Sequence, residues 1–218
     1  IMFMPDVHFT IGSPGQSTYD AVVSGVNWLI DQGIAHKGKI GLQGHSWSGF
    51  QTTYLVTKTD IFDCAQIGAP ITDMVTGYLG IRNGSGLPRY FMYEDTQSRM
   101  GATLWNAKEQ YRAMSPIINA DKIHTPLLIF HNDNDEAVAY EQGRALYLAM
   151  RRLQRPAWMV NYKGEGHFVM KPAAQKDWTI RMMQFFDYYL KGTKEPRWMK
   201  EGIHLRDRGY DQKYDLVK

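Results

Sequence analysis

Short apolar runs alternate along this chain with stretches of helical period. Met2, Phe3 and Met4 read as a short strand ended by Pro5, and Gly12-Ser13-Pro14-Gly15 as a turn cluster. Tyr19, Val22, Val23, Val26, Leu29 and Ile30 then recur at helical spacing. Ser17 has the position of an N-cap, with Asp20 three residues on as in a capping box, and Gly33 is placed to end the helix. The same reading predicts a strand over 39–43, a helix over 47–58 and a buried strand over 64–67. Residues 71–115 lack a clean period and carry Gly, Pro, Asn and many aromatics, so an irregular helical insertion is expected there. Pro126 opens a strand over 127–130. A helix over 140–153 follows, with Leu146, Ala149, Met150 and Leu153 on one face. A last strand is predicted over 158–162, and a last helix over 173–190 burying Trp178, Met182, Phe185, Phe186 and Tyr189.

Strands separated by helices imply an α/β domain over residues 1–190, with a mostly parallel sheet and helices on both faces. Reactive groups in such sheets collect at the carboxyl ends of the strands. Residues 191–218 read as a charged, solvated tail, in which Trp198 and Met199 are candidates to dock on a partner domain or a second subunit. The 218 residues and 44% apolar content suit one domain with a real core. A net charge of +3, with the signs interspersed, gives no electrostatic footprint for nucleic acid or an anionic membrane. No apolar run approaches the roughly 20 residues a membrane helix needs. The lone Cys64 excludes an intrachain disulfide and reads as a buried, inert thiol. The first residue is Ile1, so a piece of a longer protein is expected, and no compartment is assigned.

The strand over 39–43 leads into Gly44-His45-Ser46-Trp47-Ser48-Gly49. This is close to the G-x-S-x-G nucleophile elbow, with serine at the last glycine position and a glycine one step later. Small residues are needed because a tight strand-to-helix turn holds the serine in a strained backbone conformation. Its hydroxyl then projects above the sheet, and the backbone N–H of Trp47 faces the place where an oxyanion would form. The plainer reading makes the glycines turn formers and Ser46 a helix cap. The other parts of a Ser–acid–His set follow in the order this fold uses.

After the strand over 127–130 come His131-Asn132-Asp133-Asn134-Asp135-Glu136. Of the three carboxylates Asp135 is the choice for the acid, since it lies near the end of the turn and can swing toward a later loop. Asp133 is expected to tie its own turn through an Asx bond. A turn this short seldom supplies a whole metal coordination shell, so no metal or other cofactor is called for. After the last strand stands Gly164-Glu165-Gly166-His167, a flexible loop able to carry an imidazole to Ser46 as general base. His45 is expected to pack and His131 to hydrogen-bond within its loop. His8, His36, His124 and His204 fall in no constellation.

These three motifs, 44–51, 131–138 and 164–167, resemble those of the prolyl oligopeptidase family of serine peptidases, over roughly residues 5–190. The resemblance implies an α/β-hydrolase fold with Ser46, Asp135 and His167 as triad, acting on peptide substrates through an acyl-enzyme. It also implies that residues 71–115 wall a side-chain pocket, for which Tyr78 and Trp105, together with Tyr90, Phe91 and Tyr93, are candidates. Those aromatics equally suit the insertion's own core. The family usually has glycine where Ser48 stands. Its second oxyanion donor comes from an upstream His-Gly-Gly-like loop that residues 1–45 do not contain, and its relatives carry an N-terminal β-propeller. The expectation is therefore a cut-down hydrolase domain that lacks N-terminal strands. It would be stable with the rest of its parent chain or as a homo-oligomer. Alone it would be weakly active, because one oxyanion donor is worth about 3 kcal/mol. A carboxylesterase or lipase, and a non-catalytic domain used for association, remain open alternatives.

Overall fold

A strand covered on both faces must be apolar nearly throughout, and the runs around 64–68 and 127–130 meet that demand. In the computed structural model, which describes residues 1–217, every residue of both is buried. In chain order the elements begin with α1 (Pro14–Asp31), β1 (Gly41–His45), α2 (Trp47–Val56) and β2 (Cys64–Gly68). The segment after β2 holds α3 (Met74–Tyr78), the two-residue strands β3 (Ile81–Arg82) and β4 (Leu87–Pro88), α4 (Tyr90–Glu94), α5 (Lys108–Ala113) and a 3₁₀ turn at Pro116–Lys122. Then come β5 (Leu127–Phe130), α6 (Tyr140–Arg152), β6 (Ala157–Val160), α7 (Pro172–Lys191) and α8 (Arg197–Glu201).

Strands β1, β2, β5 and β6 form one parallel sheet in the order β1-β2-β5-β6. Alternate side chains go to opposite faces. Ala65, Ile67, Leu127 and Ile129 pack with Val56, Leu146 and Met150 on the face covered by α2 and α6. Cys64 and Leu128 meet Phe185, Trp198 and Met199 on the face covered by α7 and α8. α1 packs on α2 through Val23, Val26, Leu55 and Phe62. The register aligns His45 with Gly68, Gly68 with Phe130, and Phe130 with Val160. The loops that follow β1, β5 and β6 therefore leave the sheet from one row.

Several expectations need correction. Met2, Phe3 and Met4 form no strand; none runs beside them to accept their hydrogen bonds, and the Phe3 ring sits on α1 at Gly25 instead. β1 begins two residues later than predicted and ends at His45. The first helix starts at Pro14, with proline pre-set for the first turn. Ser17 lies inside it and its hydroxyl donates to the Ser13 carbonyl, so the proposed capping box does not form. Leu146 and Met150 are buried in α6, but Leu153 is exposed. The insertion contains a small β3–β4 hairpin that its irregular pattern concealed.

The stretch after Lys191 is not a solvated extension. Trp198 and Met199 are 4% and 5% exposed, docked on their own chain. The Trp198 indole donates to Gln184 at 2.8 Å, and the Trp158 indole donates to the Met199 carbonyl at 2.7 Å. Asp177 of α7 accepts from Tyr162 and Arg181 through one oxygen, and from Tyr214 and Arg181 through the other. The Arg181 guanidinium lies over the rings of Trp198 and Tyr214.

Within the described residues β1 is paired on one side only, with β2. Its other side faces a groove of about 900 Å³, lined by Met2, Phe3, Val22, Leu42, Phe186 and Leu190 among others. No described helix is long and apolar enough to cross a membrane.

Emptying the space beneath α8 should be costly. Trp198→Ala is expected to lower unfolding stability by about 3 kcal/mol, the lower end for a buried aromatic, as read by denaturant titration. A loss under about 1 kcal/mol would mean that α8 is only loosely held.

Candidate active site

Ser46 sits between β1 and α2 with φ 59° and ψ −118°, in a region that non-glycine residues rarely adopt. Surrounding contacts enforce that conformation. The Ser46 N–H donates to the Gly68 carbonyl at 2.8 Å. A Cβ on Gly44 would stand 2.1 Å from the Ser48 carbonyl oxygen, and one on Gly49 would stand 2.5 Å from that of Gly68. Both positions therefore require glycine. Trp47 is the first residue of α2, so its N–H has no partner within the helix and lies at the positive end of the helix dipole. Ser48, which stands where the elbow pattern has glycine, has a local use. Its hydroxyl accepts from the His45 N–H at 2.9 Å and donates to the His45 carbonyl at 2.8 Å, closing the turn on itself.

The His167 ring reaches Asp135 across 32 residues of sequence, with Nδ1 2.8 Å from Oδ2. The Asp135 side chain has no exposed surface and that of His167 is 6% exposed. Oδ1 of Asp135 accepts the N–H groups of Ala137 and Val138, both at 2.8 Å. Burial alone would raise this carboxyl's pKa. Hydrogen bonds from His131, His167 and the Val138 N–H outweigh it and hold the group well below the usual carboxylate range. An ionised Asp135 places a His167 proton on Nδ1, on the hydrogen bond between them.

The loop that carries His167 is held by nearly every residue of the acid loop, a feature the sequence reading missed. The Asn132 amide donates to the Gly166 carbonyl and its oxygen accepts from the Tyr162 N–H. Asp133 accepts from the Gly164 N–H rather than tying its own turn; Asp135 is the residue that makes the Asx-type bonds. Glu136 accepts from the His167 N–H at 3.1 Å. The run of short polar residues after β5 was the available signal, because each can reach a backbone N–H in an adjacent loop.

His45 packs as expected. Its ring centroid lies 4.7 Å from that of His167 and 5.0 Å from that of Phe168, so the elbow and the His167 loop are in contact. Burial, followed by the nearby His167, pushes the His45 pKa down from 6.5 to about 4. Among the described residues no hydrogen bond joins the Ser46 hydroxyl to His167. Such bonds are often long without substrate and tighten when it binds. Tyr78 and Trp105 come together edge to face, with centroids 5.9 Å apart. Tyr78 is buried with Phe50 and Tyr93 and donates to Glu94, whereas Trp105 is exposed. Trp47 packs on Phe50, linking this aromatic cluster to the elbow. Among the described residues no group of three or more His, Cys, Asp or Glu side chains is arranged to hold a metal ion.

The prolyl oligopeptidase family profile matches residues 9–193. The chain is 28% identical over 182 residues to a dipeptidyl aminopeptidase BIII of Pseudoxanthomonas mexicana, covering 82% of this chain and 26% of that protein. It is 23% identical over 190 residues to a dipeptidyl peptidase family member 6 of Caenorhabditis elegans, covering 85% and 25%. The chain thus spans about a quarter of the length of these relatives. Its fold is similar to that of a puromycin-hydrolyzing peptidase of Mycobacterium tuberculosis, with TM-score 0.74, 22% identity, and 82% and 26% of the two chains covered. An acylaminoacyl peptidase of Pyrococcus horikoshii has the same fold, with TM-score 0.73, 20% identity, and 89% and 31% covered. These neighbours are α/β-hydrolase peptidases.

A histidine kept neutral by folding makes stability depend on pH. Between the unfolded value of 6.5 and the folded value of about 4, the unfolded chain binds the extra proton, so stability falls as the solution is acidified through that window. Denaturant midpoints measured from pH 7 to pH 4 should fall less steeply in His45→Gln than in the parent. Equal slopes would place this acid sensitivity elsewhere.

Proposed function

This chain belongs to the prolyl oligopeptidase family, and we propose that it carries the reaction centre of a serine peptidase, with Ser46 as nucleophile, His167 as general base and Asp135 as the acid that orients it. The observation that carries this reading is the buried bond from His167 Nδ1 to Asp135 Oδ2, with the His167 ring packed on His45, the residue next to a serine held at positive φ. In the reaction, Nε2 of His167 takes the Ser46 proton as Oγ attacks the peptide carbonyl. The oxyanion forms at the Trp47 N–H, and a second donor comes from outside the described residues. His167 then returns the proton to the leaving amine. Water cleaves the acyl-enzyme by the same steps. The edge-to-face pair Tyr78 and Trp105 supplies an apolar wall for a substrate side chain.

Residues 1–190 constitute the catalytic part, and the segment from Lys191 onward braces α7. The open side of β1 takes a further strand from the rest of the full-length protein. Its free backbone groups and the largely apolar groove beside it support this, since an unpaired strand edge is a ready template for another strand. In hydrogen–deuterium exchange on the full-length protein, the β1 amides that are not bonded to β2 should be protected; rapid exchange there would mean that nothing docks on this edge.

The main reading is tested by active-site labelling. In the full-length protein, a fluorophosphonate probe should label Ser46, and Ser46→Ala should abolish both labelling and cleavage of chromogenic dipeptide amides. Persistent labelling in that variant would move the nucleophile elsewhere. Cleavage of esters but not amides would make the enzyme an esterase. Absence of labelling in the parent would leave a non-catalytic association domain.

A further inference from the structure

The mechanism above leaves one buried histidine unused. His131 follows β5 directly and has no exposed surface. Its Nε2 lies 3.1 Å from the Val138 carbonyl oxygen and 3.3 Å from Asp135 Oδ2. Both are acceptors, so Nε2 must carry a proton; a lone pair there would face two others. Nδ1, in contrast, is buried without a partner and is aimed at the backbone of α6, where a Cβ on Gly143 would stand 2.4 Å from it. A second proton on Nδ1 would be a buried donor with no acceptor. The acceptors around the ring therefore place a hydrogen on Nε2. The edge of Tyr140 on α6 closes the remaining side, with ring centroids 5.7 Å apart.

We propose that His131 is a positioning residue for the reaction: its Nε2–H, shared between the Val138 carbonyl and Asp135 Oδ2, ties the Asp135 carboxylate to its own loop and holds it on the line to His167 Nδ1. This rests on the triad reading above and adds a fourth member to it. Oδ2 of Asp135 lies between two imidazoles, His131 on one side at 3.3 Å and His167 on the other at 2.8 Å. The two N–H groups of the acid loop take Oδ1. With both oxygens held, the carboxylate cannot rotate away when His167 takes the serine proton. The N–H of His131 also draws charge off Oδ2 and so weakens its pull on the Nδ1–H of His167. The charged and titratable groups facing this unit are Asp135, His167, His45, Tyr140 and Glu136, whose carboxylate accepts from the His167 N–H.

The test uses the full-length protein, with fluorophosphonate labelling of the parent as the control. His131→Leu removes the donor. It should lower kcat by roughly tenfold, leave KM within about twofold, and shift the acidic limb of the kcat/KM profile to higher pH. His131→Gln keeps an N–H near the Nε2 position and should recover most of the rate and the original limb. His131→Asn has similar polarity but places its amide nearer Nδ1, and should stay low. A residue that only filled space would change stability without moving the limb or separating Gln from Asn. If the parent neither labels nor turns over substrate, the triad reading fails. If the parent is active but His131→Leu matches it, or the Gln and Asn variants match each other, the role assigned to His131 is overturned. Should His131→Leu fail to fold, the Gln and Asn comparison alone decides.

Discussion

A charge taken fully out of water has to be compensated on every side, and in this protein that charge is the carboxylate of Asp135. Its two oxygens receive hydrogen bonds from two backbone N–H groups and the His167 imidazole, and a second imidazole, that of His131, lies 3.3 Å from Oδ2. The donors come from the acid loop itself, from the residue that follows β5, and from a loop 32 residues later. Neither loop is a regular element, yet both must keep their shape for the charge to stay satisfied. The polar side chains of Asn132, Asp133 and Glu136 extend the same requirement by gripping the backbone of residues 162–167. The hydrogen bonds that stabilise the region are thus the ones that aim His167.

The sheet performs the complementary task. Its parallel register brings the ends of β1, β5 and β6 into one row, so three sequence-distant loops start side by side. At the end of β1, strain at Ser46 is maintained by backbone packing against Gly44 and Gly49. The Ser48 hydroxyl satisfies both the N–H and the carbonyl of His45, so the turn is complete without help from any strand on the open side.

The order of strands, elbow, acid loop and His167 loop was legible in the sequence because each strand is marked by an apolar run and each motif by small or polar residues after it. The strand at Leu127–Phe130 has the bounds its pattern predicts. Met2, Phe3 and Met4 were misread because an apolar triplet signals burial and says nothing of whether a partner strand lies beside it. The β3–β4 hairpin escaped because a two-residue ladder is too short to show a period. Asp133 was misjudged because an aspartate in a turn can bond either to its own loop or to another, and composition does not distinguish the two. The burial of Trp198 and Met199 was hidden by the charges around them, several of which form ion pairs of their own, such as Arg197 with Glu201 and Asp215.

Asp177 has a reach that its position on a helix face would not lead one to expect. Through Tyr162 it holds the base of the loop that carries His167, and through Tyr214 it holds the stretch that follows α8. One aspartate thus works as a shared rivet. A proteolytic nick between α8 and Tyr214 would loosen half of its grip and, through the other half, unsettle the loop of an imidazole about forty residues earlier. Segments that look peripheral by sequence can in this way be part of the tolerance to which the His167 loop is held.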